Sequence, residues 1–493
     1  MRTRLQSILA GCVACPALWP ALLSAQAEAA PLPSATIPRY PRGEVVERVE
    51  SRSDRQQHYA VYLPSRYSPA RRWPLLLLMD PRGQALFPLA LVQESAERLG
   101  YIVLSSYNSR SDEPVDPNRD ALNAMLADAQ QDFSLDERRF YLVGFSGTTR
   151  AGWEFATELA GHVAGLIGVG AGLPNGATAP APPGPADHPF AFFGGAGTTD
   201  FNYDEVMRLD GVFDRLHWPH RIVAYPGSHT WPKAPVLAQA LAWMELQAMR
   251  TGLIDVDQGA VDSLFEADRQ AARALERDGH LLDALLRYRS AATDYAGLHA
   301  TTGPVADTLR LSRTAGVRAE RKRRGEIERR QFACVARMAT YFAGLRDGSR
   351  KPQSLSQVLK HFDVPATQRL AADQTDREAS TAAHRRLEHL YVMTAFYEPR
   401  DRFERHDPAG ALGMLEIAEV IKPHTPWLCY DRARALASLN RIDEAMTSLT
   451  CWVSTGNMTA AELETDPHLA PLRGEPGFRG LRDWAAGMKG RRE

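Results

Sequence analysis

Three side chains that together could activate a hydroxyl nucleophile occur along the chain in the order serine, aspartate, histidine. Ser146 lies in the run GFSGT, Asp200 ends the run GTTD, and His229 ends the run PGSH. A serine attacks a carbonyl carbon when a histidine takes its proton, and that histidine needs an acid to fix its tautomer. We therefore predict that Ser146, Asp200 and His229 form a catalytic triad that needs neither a metal ion nor a cofactor.

Small residues surround Ser146, as a tight turn between a strand and a helix requires. Gly144 and Gly147 leave space where larger side chains would collide with the strand and the helix. The run resembles the nucleophile elbow, G-x-S-x-G, of the α/β-hydrolase family. Thr148 stands in place of the last glycine, so the match is incomplete at that position.

The resemblance to α/β-hydrolases extends from about residue 45 to residue 250. In that family the acid follows the next-to-last strand and the histidine follows the last one, and Asp200 and His229 both come after strand-like runs. The run YLPSRY at 62–67 also resembles the entry strand of the putative-esterase group, near feruloyl esterases and polyester depolymerases. The resemblance implies hydrolysis of carboxylic esters through an acyl-enzyme, and it leaves the substrate open.

Other interpretations of these residues stay open. Asp200 could cap the helix that follows it, since aspartate is favoured at helix N-termini, and His229 could be a surface histidine. The nearest rivals for the acid and the base lie within or beside that helix, and they are His217, His220, Asp204 and Asp210. None of the four lies on the loops where the acid and the base are expected.

An oxyanion formed during acyl transfer needs backbone N–H donors. The resemblance implies one donor at Gly147, directly after the nucleophile, and another in the loop that reads DPRG at 80–83. The proline of that loop has no N–H, so the second donor is the arginine or the glycine that follows it. We favour Arg82. Asp80 could tune His229 or only cap the next turn.

Up to about residue 250, runs typical of strands alternate with helical patterns. The run LLLL at 75–78 is typical of a strand that is buried on both faces. The alternation predicts an α/β fold, in which helices cover both faces of a mostly parallel sheet. Strand-like runs precede Ser146, Asp200 and His229, which puts each of them on a loop at the carboxyl end of its strand.

Beyond about residue 252 the strand patterns stop, and the chain reads as helical. Ala411 and Ala445 lie 34 residues apart, and so do Leu415 and Leu449. A period of this length with small residues at helix crossings resembles tetratricopeptide repeats. We predict an all-α helical-repeat domain, with an unrelated helical bundle as the alternative. Such a domain could cover the site or bind a protein partner.

The first residues predict export. Arg2 and Arg4 precede an apolar stretch that ends in a small-x-small pattern at Ala25–Ala27, which is the order of a secretory signal peptide. We expect a periplasmic or secreted protein without a transmembrane segment in the mature chain; LAGC at 9–12 resembles a lipobox, and lipidation is the lesser alternative. The predicted divisions are a signal peptide at 1–27, a linker at 28–44, a catalytic domain at 45–250 and a helical-repeat domain at 258–493.

The composition is that of an ordinary globular protein. Its 493 residues suggest two or three domains, and its net charge of -1 gives no reason to expect a nucleic-acid partner. The cysteines outside the predicted signal peptide are Cys334, Cys429 and Cys451, whose spacing fits no zinc site. Cys429 and Cys451 lie equally far from a turn predicted near Asn440, so they could form a disulfide or pack as two buried thiols.

The function that these residues favour is hydrolysis of carboxylic esters in a small-molecule or acylated substrate. A serine peptidase of the same fold is one alternative, because the sequence does not show the shape of the pocket. A protein-interaction module on a decayed hydrolase scaffold is another, and Thr148 and the unusual loop at 80–83 favour it mildly. Reaction with a fluorophosphonate probe would separate this last alternative from the two enzymes.

Overall fold

The structure is a computed structural model that describes residues 39–111, 117–174, 177, 190–456 and 458–489. The predicted signal peptide and most of the predicted linker lie outside the described residues, so both stay predictions. None of the described helices is both long and apolar enough to cross a membrane.

Eight strands form one sheet in the order β1-β2-β4-β3-β5-β6-β7-β8. All neighbours from β4 to β8 in this order pair in parallel, whereas β2 pairs antiparallel with both β1 and β4. This strand order, with β2 reversed, is that of the α/β-hydrolase fold, and the predicted fold class is confirmed. The strands are β1 Val45–Glu50, β2 His58–Tyr62, β3 Trp73–Met79, β4 Ile102–Ser106, β5 Leu135–Phe145, β6 Val163–Val169, β7 Ala191–Gly197 and β8 His220–Tyr225.

Helices cover both faces of the sheet. These are α1 Leu86–Leu99, α2 Asn118–Asp132, α3 Gly147–Glu158, α4 Tyr203–Leu216 and α5 Ala234–Arg250. The side chains of successive leucines of β3 pack alternately on the two faces of the sheet. Leu75 and Leu77 join a cluster with residues of α2, α3 and α4, whereas Leu76 and Leu78 join one with residues of α1 and α5. This double burial explains why β3 reads as an unbroken apolar run.

From Gln258 onward the described chain is helical. The helices are α6 Gln258–Arg277, α7 Leu281–Asp294, α8 Thr302–Ser312, α9 Ala315–Arg346, α10 Leu355–His361, α11 Val364–Ala372, α12 Arg377–Val392, α13 Glu398–Glu404, α14 Pro408–Ile421, α15 Leu428–Ser438, α16 Ile442–Ser454, α17 Ala460–Thr465 and α18 Pro476–Lys489, with a π-helical turn at Met393–Tyr397 and a 3-10 turn at Pro467–Leu472. Ala411 and Ala445 are fully buried, as small residues at helix crossings are expected to be. The all-helical character is confirmed; the tetratricopeptide character stays a prediction.

The first helices of this region pack directly on the sheet. Phe265 of α6 and Tyr295, directly after α7, belong to the same apolar cluster as Trp243 of α5. The buried side chain of Arg221, on the edge strand β8, forms ion pairs of 2.7 Å with Asp268 of α6 and Asp294 of α7. The fold class therefore changes near residue 250, but the packed core continues past it.

A disulfide joins Cys429 of α15 to Cys451 of α16, with their Cα atoms 6.0 Å apart. The two helices are antiparallel neighbours, and Asn440 lies in the turn between them with φ of 57°. Equal distance from this turn puts the two cysteines at the same height, as the sequence suggested. Of the two possibilities left open, the structure has the disulfide.

Candidate functional site

Ser146 lies at a sharp turn between β5 and α3. Its backbone has φ of 55° and ψ of -127°, a conformation that residues with a side chain rarely adopt. The turn is possible because its neighbours are glycines. A Cβ atom on Gly144 would lie 2.6 Å from the Thr148 carbonyl oxygen, and one on Gly147 would lie 2.3 Å from the Cβ atom of Ser111.

Thr148 fits the elbow through its hydroxyl group. Thr148 Oγ1 accepts a hydrogen bond from the Phe145 N–H at 3.0 Å and lies 2.7 Å from the carbonyl oxygen of Met79. The side chain is fully buried. The threonine thus links the turn to the end of β3, which a glycine at this position could not do.

Asp200 and His229 meet Ser146 at the carboxyl edge of the sheet. Asp200 follows β7, and His229 follows β8. His229 Nε2 lies 2.9 Å from Ser146 Oγ, and His229 Nδ1 lies 2.9 Å from both carboxylate oxygens of Asp200. The Asp200 carboxylate is fully buried and also accepts the Asn202 N–H at 2.7 Å. The geometry is therefore that of an acid, a base and a hydroxyl in one hydrogen-bonded series.

Aromatic rings and a glycine hold the imidazole of His229 in place. The rings of Phe145 and Phe201 lie 4.7 and 4.4 Å from it, measured between ring centroids. Gly170 has φ of +68°, and a Cβ atom there would come within 3.2 Å of the His229 ring. Burial, and to a lesser extent the charge of Asp200, raises the pKa of the nearby Tyr225, so its phenol stays neutral. Its hydroxyl donates to the Thr230 carbonyl at 2.9 Å.

The loop after β3 uses its backbone donors internally. The Arg82 N–H donates to Asp80 Oδ1 at 2.8 Å, and the Gly83 N–H donates to the Asp80 carbonyl at 3.0 Å. Asp80 Oδ2 accepts the indole N–H of Trp231 at 2.7 Å. Asp80 therefore caps this turn, which was one of its two predicted roles. The Arg82 N–H could serve an oxyanion only after releasing Asp80.

Gly147 remains well placed as a donor. It is the first residue of α3, and the first N–H groups of a helix have no acceptor within the helix. The partial positive charge at the start of a helix strengthens the attraction of this N–H group for a negatively charged oxygen.

The rival residues have other partners. His220 lies 3.4 Å from Asp210, and both are part of the contact between α4 and β8. His217 ends α4 in a left-handed conformation. Asp204 forms an ion pair of 3.2 Å with Arg385 of α12. Among the described residues, none of these four side chains forms a hydrogen bond with Ser146.

Helix α12 of the helical region lies against the loop that carries Asp200. Arg385 is 7% exposed through its side chain, and besides its ion pair with Asp204 it donates to the Thr198 carbonyl at 3.1 Å. The ring of His389 lies 6.1 Å from that of Phe201, which packs on His229. No pattern in the sequence predicts these contacts, beyond the general expectation that the helical region could cover the site.

No family model matches the chain, and no curated protein sequence does. Solved structures similar to it include an S-formylglutathione hydrolase from Staphylococcus aureus, at 13% identity over 41% of this chain and 97% of that one, with a TM-score of 0.33. A Bacillus cereus carboxylesterase matches at 16% identity over 40% and 96%, with a TM-score of 0.31. A feruloyl esterase module from Clostridium thermocellum matches at 13% identity over 42% and 92%, also with a TM-score of 0.31.

Proposed function

We propose that this protein is a serine hydrolase that cleaves carboxylic esters through an acyl-enzyme intermediate. The observation that carries the proposal is the series of 2.9 Å separations from Ser146 Oγ through His229 to the buried carboxylate of Asp200. Proton transfer from a nucleophile to its base needs this separation, and the base needs its second nitrogen bound to an acid. The strained backbone at Ser146 supports the same conclusion, because residues held in such conformations cluster at active sites.

In the proposed reaction, Ser146 Oγ attacks the acyl carbon while His229 Nε2 takes its proton. Asp200 orients the imidazole and stabilises the imidazolium that forms. The N–H of Gly147 donates to the oxyanion, and Arg82 joins it if substrate binding releases its N–H from Asp80. Collapse of the intermediate expels the alcohol, which takes the proton from His229. Water then attacks the acyl-enzyme in the same way and releases the carboxylate.

The first test is labelling of the full chain with a fluorophosphonate probe, followed by hydrolysis of p-nitrophenyl butyrate. We predict that Ser146→Ala abolishes labelling and lowers kcat by on the order of 10⁴-fold or more, with the fold intact by circular dichroism. Ser312→Ala, at an exposed serine of α8, is the matched control and should behave as wild type.

The alternatives are outcomes of the same experiment. Faster cleavage of matched p-nitroanilides than of esters would favour the peptidase. A folded wild-type protein that takes no label would favour the decayed scaffold and refute a serine hydrolase.

We also propose that the protein is exported to the periplasm or secreted after cleavage of residues 1–27. The disulfide between Cys429 and Cys451 supports this proposal, because disulfides persist in oxidising compartments. The N-terminal sequence of protein recovered from the producing cells would test it.

A further inference from the structure

A cavity of about 290 Å³ lies within the helical region, between α9, α11 and α12. Its lining does not include Ser146, Asp200 or His229. Sites for small molecules have volumes of ~300–1,000 Å³, so this cavity lies just below the lower limit of the range and has room for a small ligand.

The wall of the cavity carries more positive than negative charge. Three arginines line it, Arg330, Arg337 and Arg386, and the only carboxylate among its lining residues is that of Asp363. Arg337 reaches Asp363 at 3.8 Å. Within the described part of the chain, Arg330 and Arg386 have no ion-pair partner within 4.0 Å.

Arg386 is the arginine for which this imbalance matters most. Its side chain is half-buried, and burial together with the nearby Arg385 and Arg330 lowers the pKa of Arg386. A cation withdrawn from water without a partner costs free energy, and a bound anion would offset that cost.

The rest of the lining is mainly apolar. Ile327, Phe362 and Leu370 contribute large apolar side chains, alanines fill much of the remaining wall, and Cys334 adds a buried thiol. A ligand that suits this cavity therefore has an anionic head and an apolar body.

We propose that this cavity binds a small organic anion with a carboxylate or phosphate head group and a short apolar chain. Guanidinium groups pair with both head groups through two parallel N–H···O bonds, and they retain their charge at any physiological pH. The apolar chain would lie along Phe362 and Leu370. The site is separate from Ser146, and it does not depend on the proposed esterase activity.

Isothermal titration of the full chain with octanoate and with octyl phosphate tests this proposal, with uncharged octanamide as the ligand control. Arg386→Gln should weaken binding of the anions by about tenfold or more, because a charge-assisted pair is lost. Arg329→Gln removes an exposed arginine that neighbours Arg330 but does not line the cavity, and it should leave binding unchanged. Asp363→Asn should tighten binding, because it removes the one competing carboxylate.

A second variant and a second measurement keep the test decisive. Arg337→Gln at the exposed rim should also weaken binding, and it serves if Arg386→Gln does not fold. Bound octanoate should slow alkylation of Cys334, the free cysteine among the described residues. The head group that binds more tightly identifies the ligand class. The proposal is overturned if neither anion binds at millimolar concentration, if octanamide binds as well as octanoate, or if both arginine variants bind like wild type.

Discussion

Thr148 occupies the position where the elbow motif has its last glycine, and its hydroxyl group gives the substitution a structural role. The hydroxyl is buried and lies within hydrogen-bond distance of Phe145 N–H and of the Met79 carbonyl. These atoms belong to the ends of β5 and β3, so one side chain links the strand that enters the turn to its neighbour in the sheet. The deviation from the motif therefore does not imply a decayed site.

We predict that Thr148→Val lowers the free energy of unfolding by about 1–3 kcal/mol, since the buried Phe145 N–H loses its hydroxyl partner. The rate of ester hydrolysis should fall as well, because Ser146 is held by the same turn. Thr148→Ser keeps the hydroxyl and is the matched control. Urea unfolding and kcat for p-nitrophenyl butyrate are the measurements, and equal values for the valine and serine variants would contradict this role.

The proximity of the three candidate residues could be predicted from the sequence because each follows its own strand. Ser146, Asp200 and His229 stand at the carboxyl ends of β5, β7 and β8, and in a parallel sheet these ends share one edge. The hydrogen bond from the Arg82 N–H to Asp80 was not predicted. Its signal was nevertheless local, because an aspartate commonly binds the backbone N–H two residues further on, and Asp80 does so here.

Helix α12 contacts the candidate site at one short segment, Thr198 to Asp204, which comprises the loop after β7 and the first residues of α4. Arg385 binds both ends of this segment, one through a carbonyl and the other through a carboxylate. Asp200 lies between them. Burial raises the pKa of Asp204 even though Arg385 opposes this effect, so the pair is sensitive to loss of the arginine.

We predict that Arg385→Gln lowers kcat for ester hydrolysis by roughly ten- to a hundredfold with a smaller change in KM, because misplacing the acid loop disturbs His229 rather than substrate binding. Arg377→Gln, at an exposed arginine on the same helix, is the control. A purely structural role would instead lower the amount of folded enzyme and leave the kcat of the active fraction unchanged. Active-site titration with the fluorophosphonate probe distinguishes these outcomes.

His389, one turn further along α12, makes the free energy of unfolding depend on pH. Burial lowers the pKa of His389 to about 4, and within the described residues its Nδ1 has no hydrogen-bond partner. A histidine in an unfolded chain has a pKa of about 6.5. From about pH 6.5 down to about pH 4 the unfolded state binds a proton that the folded state does not, so stability falls as the pH drops through this window.

We predict that this group destabilises wild type by up to about 3 kcal/mol at about pH 4, relative to its contribution above about pH 6.5. The measurement is the difference in unfolding free energy between wild type and His389→Gln as a function of pH. His384→Gln, at an exposed histidine of α12, should show no such trend. A difference that stays constant across the window would rule out a buried neutral His389.

The contacts of α12 could not have been predicted from the sequence. Arg385 and the Thr198 carbonyl are 187 residues apart in the chain. The helical pattern predicts that α12 exists, but the residues it meets depend on how all the preceding helices pack. An arginine within an Arg- and Ala-rich helix looks the same in sequence whether it faces water or the loop that carries Asp200.

At the scale of the whole molecule, the change from alternating elements to helices does not mark the end of the packed core. Val261 and Phe265 of α6, and Tyr295 directly after α7, are buried in the cluster that covers one face of the sheet. Arg221 of β8 is 5% exposed through its side chain, and its partners are Asp268 and Asp294. Although burial opposes it, Arg221 helps to hold the pKa of Asp268 below its usual range. The catalytic domain predicted at 45–250 thus lacks part of its own cover.

We predict that a fragment ending at residue 300 folds more stably than one ending at residue 250. The shorter fragment exposes the apolar face that α6 and α7 cover, and it leaves Arg221 without either carboxylate partner. The apolar surface that becomes exposed costs about 25 cal/mol per Å², whereas the ion pairs of Arg221 contribute less, because removal of α6 and α7 also exposes this guanidinium to water. The measurement is thermal unfolding of both fragments, each beginning at residue 39, beside the full chain.

Asp268→Asn in the longer fragment is the control for the ion pairs, and it should lie between the two fragments in stability. Both fragments lack α12 and should therefore hydrolyse esters more slowly than the full chain. A shorter fragment that unfolds cooperatively at the same temperature as the longer one would show instead that the hydrolase sheet is complete at residue 250, and that α6 and α7 only rest on its surface.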